Sequence, residues 1–360
     1  MKILAGGLSP VLVVLAVVAI PWSNSMAKTW RVPSESPTIC GAVDSTSYGD
    51  TVLVAPGTYC RERTKVVPYG CYAWIEMKDG VTLVSEAGPS ATTLVESSPG
   101  IINFTVYCDS IEGATVRGFT LTEGECPPTQ PNAPHFSTGV YSSASDVTVE
   151  GNVFSGFYRA VEIYGNPPIQ GAPLIKGNDI GDGDCGINIS GSSMGYSPLL
   201  ESNSIHGAKY YGVCSLDSNP HIVGNTVTQC GEAGVYFQGY SSSLMVSNVI
   251  INNAGPGIMA IMDYVYESPC LNCGWQKEHA NDVYGNRQYD VYYYEETGAG
   301  LFEARVNYWG TSCPDSTRFF GRVDWSPWVN TTHTVDCVTC AGCPDAVQPA
   351  TWGSIKAMFR

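Results

Sequence analysis

Positive charge is scarce in this sequence: 18 Lys and Arg stand against 33 Asp and Glu, a formal net charge of −15 over 360 residues. A surface of that sign repels phosphate backbones and anionic headgroups, so neither nucleic acid nor a membrane surface is an expected partner. Charged residues of both signs make up only 14% of the chain, and helix-periodic runs are few, which argues against a helical bundle. Long apolar runs are also missing. The longest, Val11 to Ile20, falls well short of the roughly 20 residues a transmembrane helix needs. No Gly-Lys-Ser/Thr phosphate loop occurs, and His206, His221, His279 and His333 show no helix-spaced pairing that would suit a metal.

The apolar run has another use. Lys2 before it and the small residues of Ser25-Met26-Ala27 after it form a signal-peptide pattern, so residues 1–27 are expected to be removed, leaving a secreted or cell-surface protein. Export bears on the 14 cysteines, all of which follow that segment. In an oxidising compartment they are expected mainly as disulfides, although Cys270-Leu-Asn-Cys273 and Cys337-Val-Thr-Cys340-Ala-Gly-Cys343 have spacings also seen in zinc sites.

What the chain has in abundance is glycine, tyrosine and self-similarity, at a period of 21 to 26 residues. Blocks ending in asparagine recur: Val147-Thr-Val-Glu-Gly-Asn152, Pro173-Leu-Ile-Lys-Gly-Asn178, Pro198-Leu-Leu-Glu-Ser-Asn203, Pro220-His-Ile-Val-Gly-Asn225 and Ser243-Leu-Met-Val-Ser-Asn248. An apolar residue stands three before each asparagine (Val149, Ile175, Leu200, Ile222, Met245) and another two after it (Phe154, Ile180, Ile205, Val227, Ile250). An earlier copy keeps the apolar frame but has Phe119 in the asparagine's place. Between the blocks runs a second register, exemplified by Gly186-Ile-Asn-Ile-Ser and Gly234-Val-Tyr-Phe-Gln, with the alternation of a strand. Hairpin turns between neighbours are lacking, so the pattern predicts an all-β parallel solenoid. Asn152, Asn178, Asn203, Asn225 and Asn248 are expected to stack on one corner, fixing register through their amides and tolerating the left-handed backbone of a sharp turn.

Specific segments carry a resemblance. Ile39-Cys-Gly-Ala-Val43 followed by Gly49-Asp-Thr-Val-Leu-Val-Ala-Pro-Gly-Thr-Tyr59 resembles the opening coil of bacterial right-handed parallel β-helix repeat proteins of the pectin-lyase-like superfamily, which include NosD-like repeats. Lys78-Asp-Gly-Val-Thr-Leu-Val84 resembles the second coil, and Val306-Asn-Tyr-Trp-Gly310 with Val323-Asp-Trp-Ser-Pro-Trp328 the closing segment. The resemblance implies a right-handed parallel β-helix over residues 28–330, with a short helical cap at Thr38 to Asp44. Residues 331–360 form a Cys-rich tail that ends in Trp-Gly and basic residues, as do exported repeat proteins with suspected surface sorting.

If the residue after each leading Gly points inward, the next points out. The outward row is then Tyr141, Glu162, Asn188, Cys214, Tyr236 and Met259, flanked by Tyr164, Ser190, Leu216, Gln238 and Ile261. Tyrosine faces among amides and a carboxylate suit sugar recognition, which makes Tyr141, Glu162, Tyr164, Asn188, Tyr236 and Gln238 candidate carbohydrate-binding residues. Hydrolysis would need a second carboxyl about 5 to 9.5 Å from Glu162, and Asp182 and Asp184 are the candidates. These rows supply no Arg or Lys, which argues against lyase chemistry. No cofactor is expected; calcium is the ion that Asp179-Ile-Gly-Asp182-Gly-Asp184 would suit. The sequence reading is therefore a monomeric β-helix scaffold binding extracellular polysaccharide. The alternatives are a polysaccharide lyase or glycoside hydrolase of the superfamily and a periplasmic NosD-like accessory protein.

Overall fold

The computed structural model describes residues 26–97, 102–124, 126, 136–165, 172–191, 197–263, 269–272, 276–296, 300–312, 314–333 and 336–337. The apolar N-terminal run, Cys273, Cys340, Cys343 and the end of the tail lie outside them.

The strands form three long sheets of 12, 9 and 11 strands, and successive coils contribute neighbouring strands to each. Pairing is parallel throughout, except where Lys65–Val67 runs antiparallel to Cys71–Glu76 and Trp328–Val329 to Asp336–Cys337. A chain that returns to the same three sheets once per coil is a parallel β-helix. Each asparagine block straddles a corner, so Leu174–Lys176 lies in the first sheet and Asp179–Gly181 in the second. The Gly-led segments form the third sheet.

Burial follows from this winding. All ten apolar residues flanking the five asparagines are buried and belong to one continuous core running from Val32 to Trp328. Glycine leads the third-sheet strands because the chain there turns from corner to strand with two adjacent residues facing inward. A Cβ at Gly186 would lie 2.4 Å from the carbonyl oxygen of Gly212 on the next coil.

The asparagines stack as expected. Asn178 Oδ1 accepts from the backbone N–H of Asn152 at 3.0 Å and from its Nδ2 at 3.2 Å, while Asn178 Nδ2 donates to the carbonyl of Val149 at 2.9 Å. The same triple linkage repeats through Asn203, Asn225 and Asn248, and continues to Asn281 and Asn307, which the sequence reading did not include. At the other end Phe119, lacking an amide, contributes only its N–H, to Asn152 Oδ1 at 3.0 Å. One detail differs from expectation. At the five corners from Asn152 to Asn248 the left-handed residue is the one before the asparagine, with Gly177 at φ 60° and Ser202 at φ 55°, so the asparagines are there for hydrogen bonding and not for backbone tolerance.

Both ends of the stack are covered. The helix Ile39–Ser45 buries Ile39, Cys40, Ala42 and Val43 against the first coil, with Thr38 Oγ1 accepting from Gly41 N–H at 3.0 Å as its N-cap. At the far end Trp325 stacks on Phe319 at 4.9 Å, and Trp309 meets Phe319 edge-on at 4.8 Å.

The expectation of mainly disulfides is not met among the described residues. Cys60 and Cys126 are bonded, as is Cys270, but Cys40, Cys71, Cys108, Cys185, Cys214 and Cys230 are buried free thiols. Several point into the core, where burial makes the thiolate unfavourable; it pushes the Cys230 thiol up to about 12. No helix among the described residues is long and apolar enough to cross a membrane.

Candidate functional site

The outward face of the third sheet is built by parallel register. Tyr141 pairs with Glu162, Glu162 with Asn188, Asn188 with Cys214, Cys214 with Tyr236 and Tyr236 with Met259, as the alternation predicts. The flanking row Tyr164, Ser190, Leu216, Gln238 and Ile261 is in register beside it. Tyr107 extends the first row at one end, and Tyr292 and Phe320 at the other; Tyr294 extends the second. From Tyr107 to Phe320 there are eight coil-to-coil steps of about 4.8 Å, roughly 38 Å in all.

The face is packed in some stretches and open in others. Near the N-terminal end Phe104, Tyr107 and Tyr141 stack, with Tyr141 at 4.4 Å from Phe104 and 5.4 Å from Tyr107. Burial, then the nearby Glu162 carboxylate, raises the Tyr141 phenol to about 12, so it is a hydrogen-bond donor at any ordinary pH. Burial and the carboxylate of Asp109 push Tyr107 up as well. In the middle, Tyr236 is only 9% exposed, stacked on Tyr211 at 4.5 Å with its hydroxyl donating to Gln238 Oε1 at 2.9 Å. Asn188 is also buried. Tyr236 is thus a packed ring and not the free surface ring the sequence suggested.

Glu162 has specific partners. Arg159 forms an ion pair with it, and Thr138 Oγ1 donates to its Oε2 at 3.2 Å. Arg159 was not anticipated on this face. Counting outward positions only from the residue after each Gly misses the residue before it, which the inward turn also leaves pointing out; Thr138, Arg159, Cys185 and Tyr211 are those residues, in register across four coils. The lack of a basic group on the face, one ground for excluding lyase chemistry, is corrected accordingly. Arg159 also lies 5.0 Å over the Tyr158 ring.

Asp182 and Asp184 are not brought to Glu162. Asn188 is the register partner of Glu162, and Asp184 lies four residues before it, on the order of 13 Å along the strand at about 3.3 Å per residue. Asp182 occupies the corner with φ 56°. The aspartates diverge to separate neighbours, Asp179 to His206 at 3.0 Å and Asp184 to Lys209. Among the described residues no group of three or more His, Cys, Asp or Glu is placed to hold a metal ion.

Large apolar side chains that remain exposed are unevenly distributed. Of the ten in the described residues, six belong to third-sheet strands: Val66, Ile102, Phe136, Tyr164, Tyr294 and Phe320.

Solved structures similar over most of the chain include two with a TM-score above 0.5. The A-module of the Azotobacter vinelandii mannuronan C-5 epimerase AlgE4 aligns at 14% identity and a TM-score of 0.51, covering 75% of this chain and 72% of that one. Pectate lyase Pel9A aligns at 13% identity and a TM-score of 0.52, covering 88% and 82%. At such identities these likenesses establish the fold. Comparison with curated proteins yields no match. Residues 169–273 match the family described as "Right handed beta helix region". Residues 31–219, more than half of the sequence, match "Protein of unknown function (DUF1565)", and the chain belongs to that family, with the right-handed parallel β-helix as its architecture.

Proposed function

We propose that this protein is a secreted or surface-displayed scaffold that binds extracellular polysaccharide along the outward face of its third sheet. The observation that carries this reading is that six of the ten exposed large apolar side chains among the described residues lie on one sheet of three, grouped towards its two ends and joined by the outward rows between them. A surface of ring faces with Glu162 and Gln238 beside them offers apolar area to sugar C–H faces and polar groups to hydroxyls. The mannuronan epimerase module and the pectate lyase, which share the fold, are named for polysaccharides. Tyr164, at 46% exposure and beside Glu162 on its strand, is the ring best placed to be covered by a ligand.

A second reading, a polysaccharide lyase, is favoured by one feature: Arg159, Glu162 and the protonated Tyr141 phenol lie together on that face. One experiment separates the two. The purified mature protein is run through native gels containing a panel of polysaccharides, and the same polysaccharides are assayed for new reducing ends. Binding without catalysis predicts retardation with no product, and Tyr164→Ala should reduce retardation about tenfold while changing stability by less than about 0.5 kcal/mol. Product formation abolished by Glu162→Gln would establish the enzyme reading instead. A protein retained by no polysaccharide in the panel would refute both.

A further inference from the structure

The far end of the same row carries a second aromatic platform, and the charges around the row decide what it suits. Tyr292 and Phe320 stack with their ring centroids 4.5 Å apart and their planes within 4°. Tyr289 leans on both, at 5.7 and 5.6 Å. Phe320 is 40% exposed, and Tyr294, next in the flanking row, 48%. In the fold's aromatic end plug the rings pack into one another beneath the last coil; Tyr292 and Phe320 instead extend the outward row past Met259. Six coil-to-coil steps, about 29 Å, separate Tyr292 from Tyr141.

Among the described residues, the strands of this sheet carry only two cations, and each has a carboxylate on the same face: Lys65 pairs with Glu76 and Arg159 with Glu162. Arg318, two residues before Phe320, is bound to Asp290 at 2.8 Å and donates to the carbonyls of Asn286 and Gln288. A polymer with a carboxylate on every ring would meet this face with no uncommitted cation on its strands, while Asp109 and a net charge of −15 oppose it.

We infer that the ligand of this face is an uncharged polysaccharide chain lying along the helix axis, and that Tyr292 and Phe320 form a distal subsite for it, about 29 Å from the Tyr141 end. The inference rests on the binding function proposed above and adds the class of glycan and a second point of contact. Stacking on an uncharged ring draws on ring area and hydroxyl contacts and does not need a cation, which is what the platform provides. Contact at both ends also makes long chains bind more tightly than short ones, since the second contact is intramolecular.

The test compares retardation of the parent and of a Tyr292→Ala/Phe320→Ala variant in native gels containing a neutral β-glucan or galactomannan against gels containing polygalacturonate, with thermal denaturation run alongside. The parent should be retarded by a neutral polymer at least tenfold more strongly than by polygalacturonate. The variant should lose about tenfold of that retardation, and Tyr292→Trp should retain it. Since Tyr292 is partly packed, the Tyr292→Trp variant and the melting curves separate loss of the subsite from loss of the fold. Equal or stronger retardation by polygalacturonate overturns the neutral-ligand inference and leaves binding itself intact. An alanine variant retarded like the parent overturns the distal subsite alone. A parent retarded by neither polymer overturns the inference together with the function on which it rests.

Discussion

The asparagine corner and the outward face of the third sheet are wound from the same coils, yet they are held together in different ways. At the corner every rung from Asn152 to Asn307 uses the same side chain for the same bonds, and each amide is buried and shared with the rung on either side. On the face no residue type persists: Tyr141, Glu162, Asn188, Cys214, Tyr236 and Met259 follow one another, packed in places and open in others. A uniform ladder fixes register and leaves nothing free to bind. A varied face contributes less to stability and can be altered without unwinding the stack.

The contrast is tested most severely at the middle of the ladder. Asn225→Ala removes the acceptor of the Asn203 N–H and one of the two acceptors of its Nδ2, stranding the N–H in the core, so the cost should be about 3 kcal/mol in urea unfolding, with glycan retardation unchanged at temperatures where the variant is folded. A loss below about 1 kcal/mol would mean that the ladder is a consequence of the winding and not one of its causes.

Tyr236→Ala probes the packed part of the face. An exposed ring would cost almost nothing to remove, but this one is stacked on Tyr211 and hydrogen-bonded to Gln238, so about 2 kcal/mol should be lost. A neutral outcome would return Tyr236 to the open surface and bring it back among the binding rings.

Smaller still is the effect of pH at Tyr141. Its phenol is raised from the ordinary 10.0 to about 12, chiefly by burial and then by Glu162, so the folded state holds the proton where the unfolded chain releases it. The resulting stability is complete below pH 10, falls as pH rises toward about 12, and is on the order of 1 kcal/mol once solvent screening is allowed for. Alkaline titration followed by phenolate absorbance should show a group of late-titrating tyrosines, Tyr107 and Tyr211 among them, with one fewer in Tyr141→Phe. Titration of Tyr141 at the ordinary phenol value would place it in open solvent.

The same contrast explains what could be read in the sequence. The ladder was legible from Asn152 to Asn248 because identical chemistry recurs at nearly constant spacing, with the flanking apolar residues marking the inside. It was missed at Asn281 because a long coil places it 33 positions after Asn248. The buried Val283 and Trp309, two residues after Asn281 and Asn307, were the remaining signal. Register along the face was legible too, since period-two alternation gives orientation. Arg159 was not, because the inward turn at each leading Gly breaks that alternation by one residue, and the composition of the segment does not mark the break. Burial of Tyr236 was equally hidden, since it depends on Tyr211 standing one coil away in a row that the alternation did not predict.

The smallest expected effect concerns coupling between neighbours, which is where corner and face should differ in kind. Arg159 and Glu162 form an ion pair whose side chains are 32% and 15% exposed, with water competing for both. A double-mutant cycle with Arg159→Gln and Glu162→Gln should therefore return a coupling energy of no more than about 0.5 kcal/mol. The equivalent cycle at the corner, Asn203→Ala with Asn225→Ala, should return at least about 1 kcal/mol, because once one amide is gone its neighbour has already lost its partner. Urea unfolding of the six variants and the parent measures both terms under one set of conditions. A face coupling as large as that of the corner would show that Arg159 and Glu162 are locked against solvent, as a preorganised catalytic pair would be, and would favour the enzyme reading of the face over the binding one.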